Sequence, residues 1–360
     1  MPLCLSRTAS RALAGVAAAV IVASASAEPK KNPESPLIKV AELRLGQPRQ
    51  GAACAVLDGS IYVFGGATTM DQVFRAEWRT MRDGVPQVRR SFESGLPGRV
   101  GIIDVEKVDT RTAKVMPAPG RLLVRRYHAV IEHAGKFFLF GGQGEGTGGE
   151  AFERRVEIYD PATGEVTYGP DMPEPRCGMA AVKLGSKAHL IGGTKFKGGT
   201  TGAQTNQVDI FDLELGTWTT GLPMPTPRES RAEVVGEFIL VVGGYRSREA
   251  VAEVEMFVPR ENRWKSLPAL DRPVSAHALA LLDDRLYLFG NYSDQSSTLA
   301  YNLRTRKTES VSAGFEGRRH SCAAVVGERI YVIGGNTGPE AGTELDRIEV
   351  FARNPDFAPR

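Results

Sequence analysis

The 360-residue sequence predicts an all-β fold, a six-bladed β-propeller whose ring is closed by the N-terminal strand joining the C-terminal blade. Three observations predict it. A diglycine recurs at Gly65-Gly66, Gly141-Gly142, Gly192-Gly193, Gly243-Gly244 and Gly334-Gly335, with a degraded copy at Gly290-Asn291. Each copy follows an arginine, at Arg49, Arg125, Arg176, Arg228, Arg272 and Arg318, by 16, 16, 16, 15, 18 and 16 residues. The chain ends complement each other: the last repeat stops at DRIEVFARN, three strands in, while LIKVAELRLGQPR near the N-terminus aligns with GTWTTGLPMPTPR. That alignment puts Lys39 where Trp218 stands.

Within each repeat the elements follow in order. Between arginine and diglycine lie two strands around a tight turn, as in CAVLDGSIYVFGG and CAAVVGERIYVIGG, where alternating and β-branched residues flank hairpin turn residues. A variable loop comes next. A third strand then closes on an aromatic or acidic pair, as in VEKVDTRT, VEIYDPATG, VDIFDLELG, VEMFVPREN and LAYNLRTRK. The fourth strand carries Trp218 or Trp264, with Val115, Val166 and Thr308 at the matching positions. Four strands at a period of about 50 residues is propeller-blade spacing, and closing the ring buries two sheet edges that would otherwise template aggregation. The diglycines lack Cβ atoms, which lets the chain turn sharply and neighbouring blades approach.

These residues resemble the Kelch repeat over about residues 37–353. The diglycine, the downstream aromatic-acidic pair and the spaced tryptophan together carry the resemblance, and the fifth repeat departs from it. In Kelch-type adaptors of ubiquitin ligases, arginines at corresponding positions contact acidic partner segments, so the resemblance implies a candidate surface.

Outside the repeats, Arg7 and Arg11 precede an apolar run from Ala12 to Ala23, and Ala25-Ser26-Ala27 supplies small residues for cleavage. Residues 1–27 read as a signal peptide, residues 28–36 as a flexible lead-in and residues 354–360 as a tail. Secreted or periplasmic localisation follows, without a transmembrane segment, because a run of 12 residues is shorter than the roughly 20 needed to span a bilayer. Without the leader the chain holds 43 basic and 42 acidic side chains, a formal charge of +1. That balance gives no basic face for nucleic acid. Cys54, Cys177 and Cys322 are too sparse for a disulfide framework, although a Cys54–Cys322 bridge is conceivable if the ring closes.

The expected function is a non-catalytic, monomeric binding module for a protein or glycan, with an anionic partner favoured. The arginine loops and the loops after the diglycines should share one face. Its candidate residues are Arg49, Arg125, Arg126, Tyr127, Arg176, Arg228, Arg272, Arg318, Arg319 and His320, because guanidinium forks suit carboxylates and phosphates. Trp78 joins them from the long insertion at about 67–99, which is rich in arginine and aromatics. No catalytic residue, cofactor or metal is expected. RRYHAVIEHAGKFFLFGG looks like the galactose-oxidase segment that gives a tyrosine and a histidine to copper, but Ser230 stands where a second tyrosine is needed. Resemblance to bacterial sialic-acid mutarotases leaves a sugar-acting enzyme as the alternative, with Glu145, Glu229 and His320 as its acid-base candidates. A G-x-G-x-x-G run at Gly144–Gly149 lacks the following helix that pyrophosphate binding requires.

Overall fold

In the computed structural model the described residues are 35–68, 81–82, 85–86, 102–144, 152–195, 202–338 and 343–357. The expected signal peptide, most of the lead-in, Glu145, Trp78 and nearly all of the 67–99 insertion lie outside them. Six four-stranded antiparallel sheets hold most of the described strand residues. The first holds Ala53–Leu57, Ser60–Phe64, Val105–Asp109 and Lys114–Ala118, in that spatial order. The second holds Ala129–His133, Lys136–Phe140, Val156–Tyr159 and Val166–Gly169, and the third Ala180–Leu184, Lys187–Ile191, Val208–Asp212 and Thr217–Thr220. Glu229–Val235, Phe238–Arg246, Glu249–Val258 and Arg263–Leu267 make the fourth, and Ala278–Leu282, Arg285–Phe289, Thr298–Asn302 and Thr308–Ser310 the fifth. The sixth is built from Cys322–Val326, Arg329–Ile333 and Arg347–Arg353, with Leu37–Arg44 as its outer strand. A 3-10 turn at Pro259–Glu261 interrupts the β pattern.

The register of the outer strands follows the sequence alignment. Trp218 lies opposite Phe211 and Trp264 opposite Phe257. Lys39 lies opposite Phe351 at the same position, and Val115, Val166 and Thr308 oppose Val108, Tyr159 and Tyr301. Each tryptophan Nε1–H reaches across to the linker before it, donating to the carbonyl of Pro170 or Leu222 at 3.0 Å.

Burial peaks on the second strand of each sheet, is partial on the inner strand and falls to the outer edge. The second strands are almost wholly buried, as in Ser60–Phe64, whereas outer strands such as Thr217–Thr220 are largely exposed. The apolar core is correspondingly a set of layers between consecutive sheets. Phe64, Val105, Phe137 and Tyr159 join the first and second; Phe140, Val156, Leu190 and Phe211 join the second and third. The sixth and first share a layer too, made by Ile61, Val63, Ile333, Ile348 and Val350. Repeated four-stranded sheets packed face to face in this way form a β-propeller.

The diglycines sit where neighbouring sheets touch. The second glycine donates its N–H to the backbone carbonyl of the next arginine: Gly66 to Arg125, Gly142 to Arg176, Gly193 to Arg228 and Gly335 to Arg49. At Gly334 a Cβ would lie 2.6 Å from the Arg49 carbonyl oxygen, and φ is +61°. No other residue meets both conditions without strain, which bears out the structural reading of the repeat glycines.

At the chain ends, Ser35 is buried and Asn354 donates to the carbonyls of Pro36 and Ser35. The last residues of the expected lead-in are therefore tied to the start of the expected tail.

Candidate functional site

Five of the six repeat arginines do not present their guanidiniums to solvent. Arg49, Arg125, Arg176, Arg228 and Arg318 are 0–1% exposed. Each pairs with a buried acid from the third strand of its own sheet. Arg125 reaches Glu157 at 2.7 Å, Arg176 reaches Asp209 at 2.7 Å and Arg228 reaches Glu255 at 2.5 Å; Arg49 and Arg318 pair with Glu106 and Glu349. Other donors hold carbonyls at the strand end, as Arg125 does with Gly141 at 3.0 Å and Arg228 with Gly243 at 2.8 Å. Burial pulls all five guanidiniums below their ordinary value, and the paired carboxylates push them back up. The geometry is that of an internal clamp, and the expected ring of open guanidinium forks is corrected by it.

The sixth arginine is misplaced by two residues in the sequence alignment. Arg272 is exposed and bonds Asp271 and, on the outer strand of its sheet, Ser310. Val274 holds the repeat position, since its carbonyl accepts from Gly244 as the Arg228 carbonyl accepts from Gly193.

Beyond the clamps, the loops after the arginines and those after the diglycines do share one side of the sheets. Arg125–Arg126 pairs with Gln143–Gly144, Arg176–Cys177 with Thr194–Lys195, Glu229 with Tyr245 and Arg319 with Asn336. The entry loops are also stitched to one another by backbone bonds. His320 donates to Ala276, Gly51 to His320, Tyr127 to Gly51, Gly178 to Tyr127 and Ser230 to Gly178, over 2.7–3.3 Å. Among the described residues no such bond joins Ser230 to Ala276.

A cavity of about 780 Å³ opens at that break. Its walls include Arg126, Arg231 and Arg248, with Tyr127, Tyr245 and Tyr292, around Glu229, His277 and His320. Arg126 is held by the Gln143 side chain at 3.0 Å and lies 5.3 Å from the Tyr127 ring. Arg319, beside this wall, packs 4.0 Å from the Tyr292 ring centroid. Tyr127 donates its hydroxyl to Gln50 at 2.8 Å, and burial pushes its pKa up to about 12. His320 Nδ1 lies 2.9 Å from Asn336 Oδ1; burial brings both His277 and His320 down to about 3, so both rings are neutral at pH 7. Glu229 bonds Thr194, and burial raises its carboxyl above the ordinary range. The cavity thus offers three cations, one acid and several aromatic faces.

Of the sequence candidates, Arg126, Tyr127 and His320 converge on this cavity, with Arg319 adjoining it. The five clamp arginines and Arg272 are not among its lining residues. Sequence reasoning did not single out Arg231, Tyr245, Arg248, His277 or Tyr292. A signal for two of them was present: Tyr245 and Tyr292 each directly follow the diglycine position of their repeat.

Comparison with known proteins agrees with this architecture. Residues 100–291 match the family described as the KLHDC2/KLHL20/DRC7 Kelch-repeats domain, and residues 317–351 match the Kelch motif. Kelch-like protein 25 of Xenopus tropicalis is 24% identical over 250 residues, 67% of this chain and 42% of that protein. Human Kelch-like protein 38 is 28% identical over 198 residues, 51% of this chain and 32% of its own length. Beta-scruin of Limulus polyphemus is 24% identical over 263 residues, covering 71% of this chain and 26% of that protein. The chain therefore corresponds to less than half the length of these curated relatives. With a family match across more than half of its residues and propeller sheets beneath it, the chain belongs to the Kelch-repeat family.

Proposed function

We propose that the chain is a non-catalytic binding module, a six-bladed ring sealed by Leu37–Arg44, that takes an anionic segment of a protein partner into the 780 Å³ cavity. The observation that carries this reading is the charge and shape of that cavity. Arg126, Arg231 and Arg248 outnumber Glu229, and the histidines add no charge at neutral pH. Walls of low polarizability strengthen the field that such cations cast on an entering anion. Tyr127, Tyr245 and Tyr292 add rigid, amphipathic contact area of the kind that anchors interfaces. Kelch-repeat membership supports a protein partner over a glycan. The leader-like residues 1–27 support export and action outside the cytoplasm, and we take the working form to be a monomer.

The test is binding of the full chain to arrays of acidic peptides and of acidic glycans, repeated with Arg248→Asn. Asparagine tolerates the left-handed backbone at this position, where φ is +71°. Peptide binding should weaken about tenfold or more, which needs only about 1.4 kcal/mol, with the melting temperature unchanged. Glycan binding without peptide binding would move the reading to carbohydrate. Accelerated anomer exchange of sialic acid would overturn the non-catalytic assignment and bring Glu229 and His320 forward as its acid-base pair. Intact mass of the exported protein, beginning at Glu28, tests the leader.

A further inference from the structure

Two cysteines stand where the first sheet packs against the sixth, the meeting of strands far apart in sequence. Cys54 lies on the inner strand of the first sheet and Cys322 on the inner strand of the sixth, opposite Val63 and Ile333 respectively. Both side chains pack against the same apolar layer, the one shared by these two sheets. Both also line a second cavity, a channel of about 370 Å³ bounded by the inner strands. Both are half-buried free thiols, and the channel gives each a path to solvent. Arg231 reaches into the same channel and exerts its charge on both sulfurs. Cys177 is differently placed: it is 5% exposed and lines the other cavity.

We propose that Cys54 and Cys322 are a modification site, forming an intramolecular disulfide that joins the first sheet to the sixth by exchange with a small organic disulfide. Disulfide geometry needs close, facing Cβ atoms, and the two cysteines stand on inner strands that touch, within one apolar layer. In the first step one cysteine thiolate attacks a sulfur of the organic disulfide, forming a mixed disulfide and expelling one thiolate. The second cysteine, as thiolate, then attacks the protein-bound sulfur and expels the other. Two protein thiols are oxidised, one organic disulfide is reduced to two thiols, and the two cysteine protons end on those products. The neighbouring Cys322 thiol and burial hold the Cys54 thiol well above its ordinary range, while Arg231 opposes the shift. Exchange is therefore slow at neutral pH and accelerates as pH rises, because the thiolate is the attacking form. The crosslink would enclose residues 55–321, leaving the unfolded chain far fewer conformations.

The experiment incubates the full-length protein carrying Cys4→Ser with 2-hydroxyethyl disulfide at pH 7 and pH 9. Intact mass should fall by two hydrogens, faster at pH 9, and proteolysis should release one peptide linking Cys54 to Cys322. The crosslinked protein should melt at a higher temperature, and the gain should vanish on reduction. Cys54→Ser should instead accumulate a stable mixed disulfide at Cys322, while Cys177→Ser should crosslink like the parent. Retention of both thiols, two separate mixed disulfides on the parent, or a crosslink involving Cys177 would each overturn the proposal.

Discussion

The fifth sheet and its five companions solve the same packing problem with opposite chemistry. The other five bury an arginine against a carboxylate from the third strand. In the fifth, Val274 and Leu299 occupy those two positions, each 1% exposed and both within one apolar cluster. The diglycine changes with them: Asn291 accepts from the Ser275 N–H at 3.1 Å and donates to the Pro273 carbonyl at 3.2 Å. Both members of the ion pair have been exchanged together. That is the physically permitted route, because removing one member strands a buried charge, whereas an apolar pair of similar volume can be nearly neutral. The difference teaches that the repeat arginine serves the scaffold, and that the scaffold tolerates its loss only when the acid goes too.

The sharpest way to break this comparison is Arg125→Ala. It leaves Glu157, 1% exposed, without its cation, and urea unfolding should show a loss of about 3–5 kcal/mol. A cost below about 1 kcal/mol would remove the clamp and return the arginine to the pool of partner-binding residues.

Next in size is Gly334→Ala, set against Gly59→Ala. Both glycines have positive φ, +61° and +72°, but a Cβ at Gly59 meets nothing within 4 Å. The left-handed backbone alone costs about 1–2 kcal/mol. Overpacking against the Arg49 carbonyl should add about 1–3 kcal/mol at Gly334 only. Equal melting temperatures for the two variants would mean that sheet-to-sheet approach does not depend on the diglycine.

A single carboxyl repeats the contrast on a smaller scale. Glu233 lies on the inner strand of the fourth sheet beside the channel, and burial pushes it up to about 7 from 4.5. The folded protein thus keeps this proton over pH 4.5–7 while the unfolded chain releases it. Stability from this group is present below about pH 4.5 and falls as pH rises towards 7. Glu233→Gln should flatten that decline and stabilise the protein at pH 8 by on the order of 3 kcal/mol, each of the roughly 2.5 pKa units being worth about 1.4. An unchanged pH profile would show that channel water solvates the carboxylate.

The smallest effect is expected from rebuilding the clamp in the fifth sheet. Val274→Arg combined with Leu299→Glu should lie within about 1 kcal/mol of the parent, whereas Val274→Arg alone should be far less stable. If the double variant is no better than the single one, the two positions do not form an equivalent pair.

Strand order and outer-strand register were legible because diglycine spacing and the tryptophan position are local patterns. Lys39 could be placed opposite Phe351 from an alignment of short segments. The fate of the arginines was hidden, because each partner acid lies 27 to 57 residues downstream. The recurring Val-Glu, Val-Asp or Ile-Glu of the third strands was the trace they left. Arg272 misled because spacing to the diglycine was measured from the nearest arginine, not from a constant offset; 18 where the others show 15 or 16 was the warning. Arg231 and Tyr245 from the fourth sheet meet Tyr292, which follows a strand of the fifth, at one cavity, and no single repeat contains that convergence.

The stitching of the entry loops has a consequence for how such a surface can change. Its bonds, from Ala276 through His320, Gly51, Tyr127 and Gly178 to Ser230, use main-chain atoms only. Side chains as unlike as glycine, tyrosine, serine, alanine and histidine occupy those positions while the stitching persists. What the backbone asks of them is mostly a left-handed conformation, with φ from +54° to +65° at Gly51, Tyr127, Gly178, Ala276 and His320. Housing and contacts are thereby decoupled. New recognition can be written at the rim by exchanging side chains, and β-branched residues, which fit that conformation poorly, are the letters this alphabet lacks.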